Sequence, residues 1–286
     1  MLKKSKIRKR NLAGQNLSYR DFSYADLRAC NLSGATLTGA NLLGADLRQA
    51  DLRGANLTNT SLLGALFDST LYDGETIWPD GFCIPSSCVV VEHGADLTAC
   101  IFTKRFFGHR ELSCVKLDGA NLRGTSFASS NLTGALLRSA NATSVDFTGA
   151  DLTSADFSSA TLKSASLRSS KLTGAILDKV IARGLLIDAD TILSTESRQY
   201  LLMRGAILIG PAVSVAGKSL QRAILNDADL RDCDFRGADL TRAFLYEANL
   251  RGADLRGANL TKADLRCADL SGVRLEGAIT DRTIWE

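Results

Sequence analysis

Cys83, Cys88 and His93 stand with four residues between successive members, and Cys100 and His109 follow. Thiolates and imidazoles are zinc ligands, so this is the stretch where the chain could hold a metal. Structural zinc draws on closer cysteine pairs and a full set of four ligands, and these intervals match no such pattern. Ordinary loop residues are the better reading, and no metal is expected. The two histidines are the only ones in the chain, so a histidine-dependent enzyme has almost nothing to use. No GxxxxGK loop is present to grip a phosphate. Acidic residues are abundant but spread along the chain, without the convergence of a paired-carboxylate site. These residues point to a protein that is not an enzyme and uses no cofactor.

The elements that carry them are set by a five-residue period. Leu or Phe recurs at Leu12, Leu17, Phe22, Leu27, Leu32 and onward to Phe67, and again from Leu220 through Phe235 to Leu275. A five-residue step turns about 140° around an α-helix, which would smear these side chains over every face. In an unbroken strand an odd step would send half of them to solvent. A short extended piece plus a turn in every five residues remains, coiling into a solenoid with each leucine on the axis. Two residues before each Leu or Phe sits a small residue, as at Ala25, Cys30, Ala35 and Ala40. It shares the inward face, while Asp26, Arg28, Asp46 and Arg48 point out. Gly34, Gly39, Gly44, Gly54 and Gly64, two places after Leu, supply backbone freedom for a turn.

Units such as Ala50-Asp51-Leu52-Arg53-Gly54 and Ala253-Asp254-Leu255-Arg256-Gly257 resemble the pentapeptide-repeat family, whose unit is a small residue, Asp or Asn, Leu, and two variable residues. The resemblance covers roughly two-thirds of the chain. It implies an all-β solenoid, a right-handed quadrilateral β-helix with four units per coil, here about ten coils with two loop or helix interruptions. The chain is similar to the pentapeptide-repeat sets of photosynthetic bacteria.

Five segments are expected. Residues 1–69 form a basic N-terminal arm and a first repeat block, 70–94 a loop insertion, and 95–179 a second block. Residues 180–217 form an insertion with a short helix, and 218–286 a third block with a C-terminal cap motif. All three prolines, Pro79, Pro85 and Pro211, fall in the insertions, as expected if proline is excluded from stacked strands. The five-residue register survives the first insertion and is lost across the second, which makes the second the better candidate for a discontinuity. Asp73 to Trp78, Asp188 to Leu193 and Asp281 to Trp285 share an acidic residue followed by Thr, Ile and a large apolar residue. They read as caps on the apolar column or as partner-reading loops. Ser194 to Arg204 predicts a helix with Ser194 or Thr195 as N-cap, Gly205 as C-cap, and Tyr200, Leu201 and Met203 on its apolar side.

Other positions have plain structural roles. Cys30, Cys100 and Cys233 occupy the small inward slot as slightly larger alanines, and an odd cysteine total argues against a disulfide framework. Phe107, Phe127 and Phe147, twenty residues apart, should stack inside. Arg231 over Arg251 and Arg236 over Arg256, beside Asp229, Asp234 and Asp254, read as a solvated, mutually screened surface. The second block carries Thr133, Ser139, Thr143, Thr153 and Ser158 on its outer positions, a hydroxyl-rich face open to recognition or explained by β-propensity.

No run of eighteen apolar residues occurs, and Met1 to Arg10 lacks the apolar segment of a signal peptide, so no membrane span and a cytoplasmic location are expected. Lys3, Lys4, Lys6, Arg8, Lys9 and Arg10 could bind nucleic acid or a membrane surface, but guarding an exposed strand edge is the favoured role, and nucleic acid is not the expected partner. The expected function is a non-enzymatic scaffold or protein-binding module, its partner an unidentified protein, with Trp78, Asp80, Phe82 and Tyr200 as contact residues. Homo-oligomers through solenoid ends are a further option. The resemblance offers one alternative, because some family members mimic duplex DNA and bind a type II topoisomerase (gyrase). A net charge of +3, with Asp interleaved by Arg, opposes that mimicry.

Replacing inward Leu52 or Leu255 by Asp should unfold nearby coils, since a buried charge adds to the loss of roughly 1.5–3 kcal/mol of leucine burial. On the same pattern Arg53→Ala should hardly matter. Thermal melting of the three variants checks the assignment, and equal tolerance at Leu52 and Arg53 would refute it.

Overall fold

In the computed structural model of the protein, residues 7–285 are described. The repeat follows from where five backbone N–H groups go. In the unit 45–49, Ala45 N–H donates to Leu42 O at 3.0 Å and closes a corner. Asp46 N–H donates to Ala25 O in the preceding coil, while Leu47 and Gln49 N–H donate to Leu66 O and Asp68 O in the next, all at 2.9–3.0 Å. Arg48 N–H is left without a carbonyl, and the Asp46 side chain accepts it at 3.2 Å. Asp or Asn is needed before Leu because its short side chain caps that one amide.

Each regular corner is a type II turn, with positive φ only at its third residue, as at Gly44 (φ 63°). Glycine is not required there. Ser139, Ser154 and Ser164 hold the same conformation at φ 54–57°, at a cost of about 1 kcal/mol or more relative to glycine. Bridge partners such as Asp26 and Asp46 are one coil apart. Four corners per coil make the section quadrilateral, and the β-helix is right-handed.

The chain divides into two compact units, Met1–Ala95 and Asp96–Glu286. In the first, ladders run from Asn11–Asn31 to Asn56–Ile77, and Leu27 to Leu57 with their alanines fill the axis. In the second they run from Asp96–Lys116 to Lys171–Ile192 and again from Ser214–Asp234 to Asp264–Ile284. Leu52 and Leu255 are buried as expected.

The interruptions are narrower than the sequence suggests. In the first, β1 (Leu71–Tyr72) pairs in parallel with β2 (Val89–Val90), so much of 70–94 remains in the ladder and only the stretch around 79–86 leaves it. In the second, the ladder continues to Ile192, and β3 (Leu186–Ile187) pairs in parallel with β4 (Ile207–Leu208). Between them, α1 (Thr195–Met203) is capped by Ser194, whose Oγ accepts from Ser197 N–H at 3.1 Å. Arg204 is the C-cap, and Gly205, at φ 90°, takes the left-handed position after it. Ala206 N–H to Leu201 O and Gly205 N–H to Leu202 O complete a Schellman ending. Leu201 is buried, but Met203 is 88% exposed, contrary to its expected apolar side. Arg198 ties α1 to the carbonyls of Asp188 and Thr191 at 2.9 and 2.8 Å.

The discontinuity expected at the second interruption is present in the backbone ladder: among the described residues the bridges stop at Lys171–Ile192 and Leu186–Ile207, resume at Ser214–Asp234, and none joins the two sets, so only side-chain contacts cross it. One buried cluster runs from Leu186 and Ile209 through Val215 to Leu265. The buried Arg168 guanidinium donates across the interruption to Ile224 O and Asn226 O at 3.1–3.2 Å. Register is lost in sequence because α1 adds residues outside the coil, and the pairing of β4 on β3 is the last step of the ladder before it restarts at Ser214.

The first two shared motifs prove to be one device. Thr76 and Thr191 donate to Leu52 O and Leu167 O, 24 residues back, whereas Thr60 in an ordinary unit reaches 23 back. The corner carries one extra residue. Asp73 and Asp188 accept from the Thr hydroxyl at 3.1 and 2.7 Å and from Gly54 or Ser169 N–H in the preceding coil at 2.8 and 2.9 Å. The third copy is a regular unit, with Thr283 reaching Leu260 O 23 residues back. Ile77, Ile192 and Ile284 all face solvent and cap nothing. Trp78, Leu193 and Trp285 take the place of Leu.

Arg53 corrects the simple outward rule. Beside the first of these corners its side chain is only 2% exposed and forms a bidentate pair with Asp51, itself buried. Arg53→Ala should therefore destabilise the first unit by about 3 kcal/mol or more, because Asp51 keeps a buried charge. Arg48→Ala, at an exposed pair, should cost under about 1 kcal/mol. Denaturant melts of the two variants make the comparison.

Exposed pairs repeat the Asp-to-Arg fork. Arg28, Arg48, Arg231, Arg256 and Arg266 each hold the Asp two residues before. The Arg28 guanidinium holds Asp26 down at about 2, and Arg256 does the same for Asp254. Asp46, Asp229 and Asp264 are lowered by their own arginines. A depressed folded value contributes stability above the unfolded carboxylate value near 3.9 and loses it as pH falls through the folded value. Melting temperature should thus drop between about pH 4 and pH 2, and Asp26→Asn with Asp254→Asn should flatten that drop. Circular-dichroism melts across this range provide the check.

Candidate functional site

The axis offers no room for chemistry. Phe107, Phe127 and Phe147 stack at centroid distances of 5.2 and 5.6 Å, with Phe102 and Phe157 edge-on at the ends. Function has to be carried by the outer faces and by the places where the chain leaves the coil.

In the first unit, Trp78 and Phe82 stack at 5.2 Å and pack with Phe67, at 5.9 and 5.6 Å, on the end of the core. The Trp78 indole N–H is buried with no hydrogen-bond partner among the described residues. Both rings are half-buried, so they support the loop more than they present it. Between the coil at 60–67 and the loop lies a cleft of about 520 Å³, lined by Leu62, Leu63, Phe67, Pro79 and Pro85 with Asp80 as the charged residue. Asp80 is exposed. Leu63, 77% exposed, and Ile84 were not singled out in the sequence. Leu63 had a signal there, because it follows inward Leu62 at a position that carries Arg or a small polar residue in many units.

Tyr200 belongs to the second unit, so the structure does not join it to the other three contact residues. Its ring is half-buried on α1 under the Arg204 guanidinium, 5.1 Å from the centroid, and its hydroxyl is buried without a partner among the described residues.

Among the described residues, no three His, Cys, Asp or Glu side chains converge on a metal position. Burial pushes the Cys88 thiol up to about 11, and its Sγ lies 3.9 Å from Phe67 O. All seven cysteines are free. Buried Cys30 and Cys233 donate to Ile7 O and Gly210 O at 3.0 and 2.7 Å, and burial holds Cys233 at about 11. These thiols fill and fasten the column.

On the hydroxyl-rich face, Thr143, Thr153 and Ser158 donate to Asn141, Asp151 and Asp156 at 2.5–2.7 Å. Much of that face is engaged within its own units. Of the basic N-terminal run, Lys3, Lys4 and Lys6 lie outside the described residues. Arg8, Lys9 and Arg10 are exposed but belong to the first corner, with Lys9 N–H on Arg28 O at 3.0 Å, and are not a free arm. Among the described residues no helix is long and apolar enough to cross a membrane.

A family model described as "Pentapeptide repeats (8 copies)" matches residues 30–68, 116–153, 143–178, 219–252 and 245–279. No curated protein matches the chain. Among solved structures, it is similar to HetL, a pentapeptide repeat protein involved in heterocyst differentiation regulation from the cyanobacterium Nostoc sp. strain PCC 7120. That match has 24% identity over 99% of this chain and 90% of HetL, with a TM-score of 0.21. QnrB1, a plasmid-mediated fluoroquinolone resistance protein, matches at 17% identity over 95% of this chain and 89% of its own, with a TM-score of 0.25. A second Nostoc PCC 7120 pentapeptide repeat protein, alr5209, is 32% identical over 30% of this chain and 81% of its own, with a TM-score of 0.16. With its five-residue hydrogen-bond cycle and a family match over more than half of its length, the chain belongs to the pentapeptide-repeat family.

Proposed function

We propose that this protein is a non-enzymatic scaffold that binds a partner protein, with the cleft beside the 79–86 loop as a contact site. The observation that carries the proposal is Leu63, a large apolar side chain 77% exposed at the mouth of an apolar cleft. Such a side chain at an exposed corner contributes nothing to the coil and fits a partner's apolar anchor. Asp80 supplies the polar rim, and the Trp78–Phe82 stack holds the loop in shape. Tyr200 is assigned a lesser role, since Arg204 covers its ring.

The filled axis supports the non-enzymatic reading. The topoisomerase alternative is not favoured. A DNA mimic needs a continuous negative surface, and the Asp columns here are forked by Arg28, Arg48, Arg231, Arg256 and Arg266.

Affinity capture from the source lysate tests the proposal with three proteins: the intact chain, Leu63→Glu, and a form with residues 78–82 replaced by Gly and Ser. A partner held by the intact chain and reduced about tenfold or more by Leu63→Glu is expected. Equal retention by all three would move recognition to the coil faces. Retention by none would remove the scaffold reading.

A further inference from the structure

The second unit carries a groove of about 890 Å³ where the coil around Arg183 meets α1, β4 and the start of the last block. Five cations line it, Arg123, Lys163, Arg183, Lys218 and Arg222, and no carboxylate does. Among the described residues none of the five is in an ion pair, in contrast with the Asp-forked arginines elsewhere. The sequence supplies the reason. The residue two before Arg123 is Asn121, that before Lys163 is Thr161, and that before Arg183 is Ile181, so the fork has no carboxylate.

The floor is aliphatic, with Leu202, Ile207, Leu208 and Val213. One of its walls is an open strand edge. β4 pairs with β3 on one side, and among the described residues no hydrogen bond is made by Leu208 N–H or to Ala206 O on the other. In a regular unit these two groups join the next coil, as Leu47 N–H and Ala25 O do. The carboxylates bonded to groove residues Ser214 and Gln221 are engaged elsewhere as well: Asp234 also accepts from Arg236, and Asp239 from Thr241.

We propose that this groove binds an extended acidic peptide of a partner protein, added as a strand to the free edge of β4. Alternate residues of an extended peptide point to opposite sides. One side can lay aliphatic groups on Ile207 and Val213 while the other turns carboxylates to the cations, the usual division of labour in strand addition. Arg123, Lys163 and Arg183 lie on coils of one column, which runs across the strands, so a peptide lying along β4 meets this column at its Arg183 end, with Lys218 and Arg222 in the lining as further cations. A nucleic acid fits less well, since the lining holds no aromatic side chain on which a base could stack. This site deepens the protein-binding reading but shares no residue with the loop cleft.

The test uses a fluorescent decapeptide alternating Glu and Leu, read by anisotropy against the full chain. Controls are the same peptide with Lys for Glu, a single-stranded oligonucleotide, and the variant Lys163→Glu with Arg183→Glu, shown by thermal melting to be folded. Saturable binding of the Glu-Leu peptide is expected, weakened by added salt and by about tenfold or more in the variant. The chain with residues 78–82 replaced should bind it unchanged, which separates this site from the loop cleft. Equal binding of the Lys-Leu peptide, an unaffected variant, or no binding would overturn the proposal. Tighter binding of the oligonucleotide would reassign the groove to nucleic acid.

Discussion

The structure depends on one amide. In a five-residue unit with a coil on each side, as at 45–49, four backbone N–H groups reach carbonyls, in the turn or in a neighbouring coil, and the N–H after Leu reaches none. An unpaired amide at a half-buried corner would cost about 1–3 kcal/mol at each repeat. The Asx side chain before Leu removes that cost and fixes the corner at the same time. In two units whose Asx slot is apolar, the amide is satisfied from one coil earlier: Arg138 N–H goes to Asp118 at 3.0 Å and Tyr246 N–H to Asn226 at 3.1 Å. The pattern is thus an account of hydrogen bonds before it is a pattern of leucines.

The same accounting explains the two widened corners. An added residue at Asp73 or Asp188 leaves the amide of the preceding coil facing the wrong way, and the Asp side chain takes it over. Each corner sits beside a buried arginine, Arg53 in one case and Arg168 in the other. Arg53 is bound to the carboxylate of Asp51. Arg168 spends its donors on carbonyls of the last block, with Asp188 3.8 Å away, and so fastens the coil across the second interruption. One local insertion therefore yields a place where the coil can be left and a cation can be buried.

Those two places are also where the surface departs from a screened array of paired charges. A regular coil places Asp and Arg side by side and leaves little for a partner to read. The loop at 79–86 opens an apolar cleft, and α1 opens a groove whose cations have lost their Asp partners. Recognition is concentrated where the repeat fails, while the intact coils provide a rigid frame.

Much was legible in the residues themselves. The inward leucines, the small slot, the phenylalanine stack and the Ser194 cap could all be read, because each depends on contacts that recur at fixed spacing or lie within a few residues. The unpaired cations at Arg123, Lys163 and Arg183 were legible too, through the missing Asp two places before, but only once the Asp-to-Arg fork was known. What the sequence alone could not decide depends on long-range placement. Arg53 is indistinguishable from Arg48 in its own unit, yet one is buried and the other is not. Trp78, Phe82 and Tyr200 look like exposed anchors until the core beneath them is seen. The second interruption breaks the register in the chain, and only the structure shows that β4 adds to β3 while its far edge stays open and the buried side chains run on past it. A repeat fixes what each unit does for itself, whereas burial and closure depend on which distant unit lies against it.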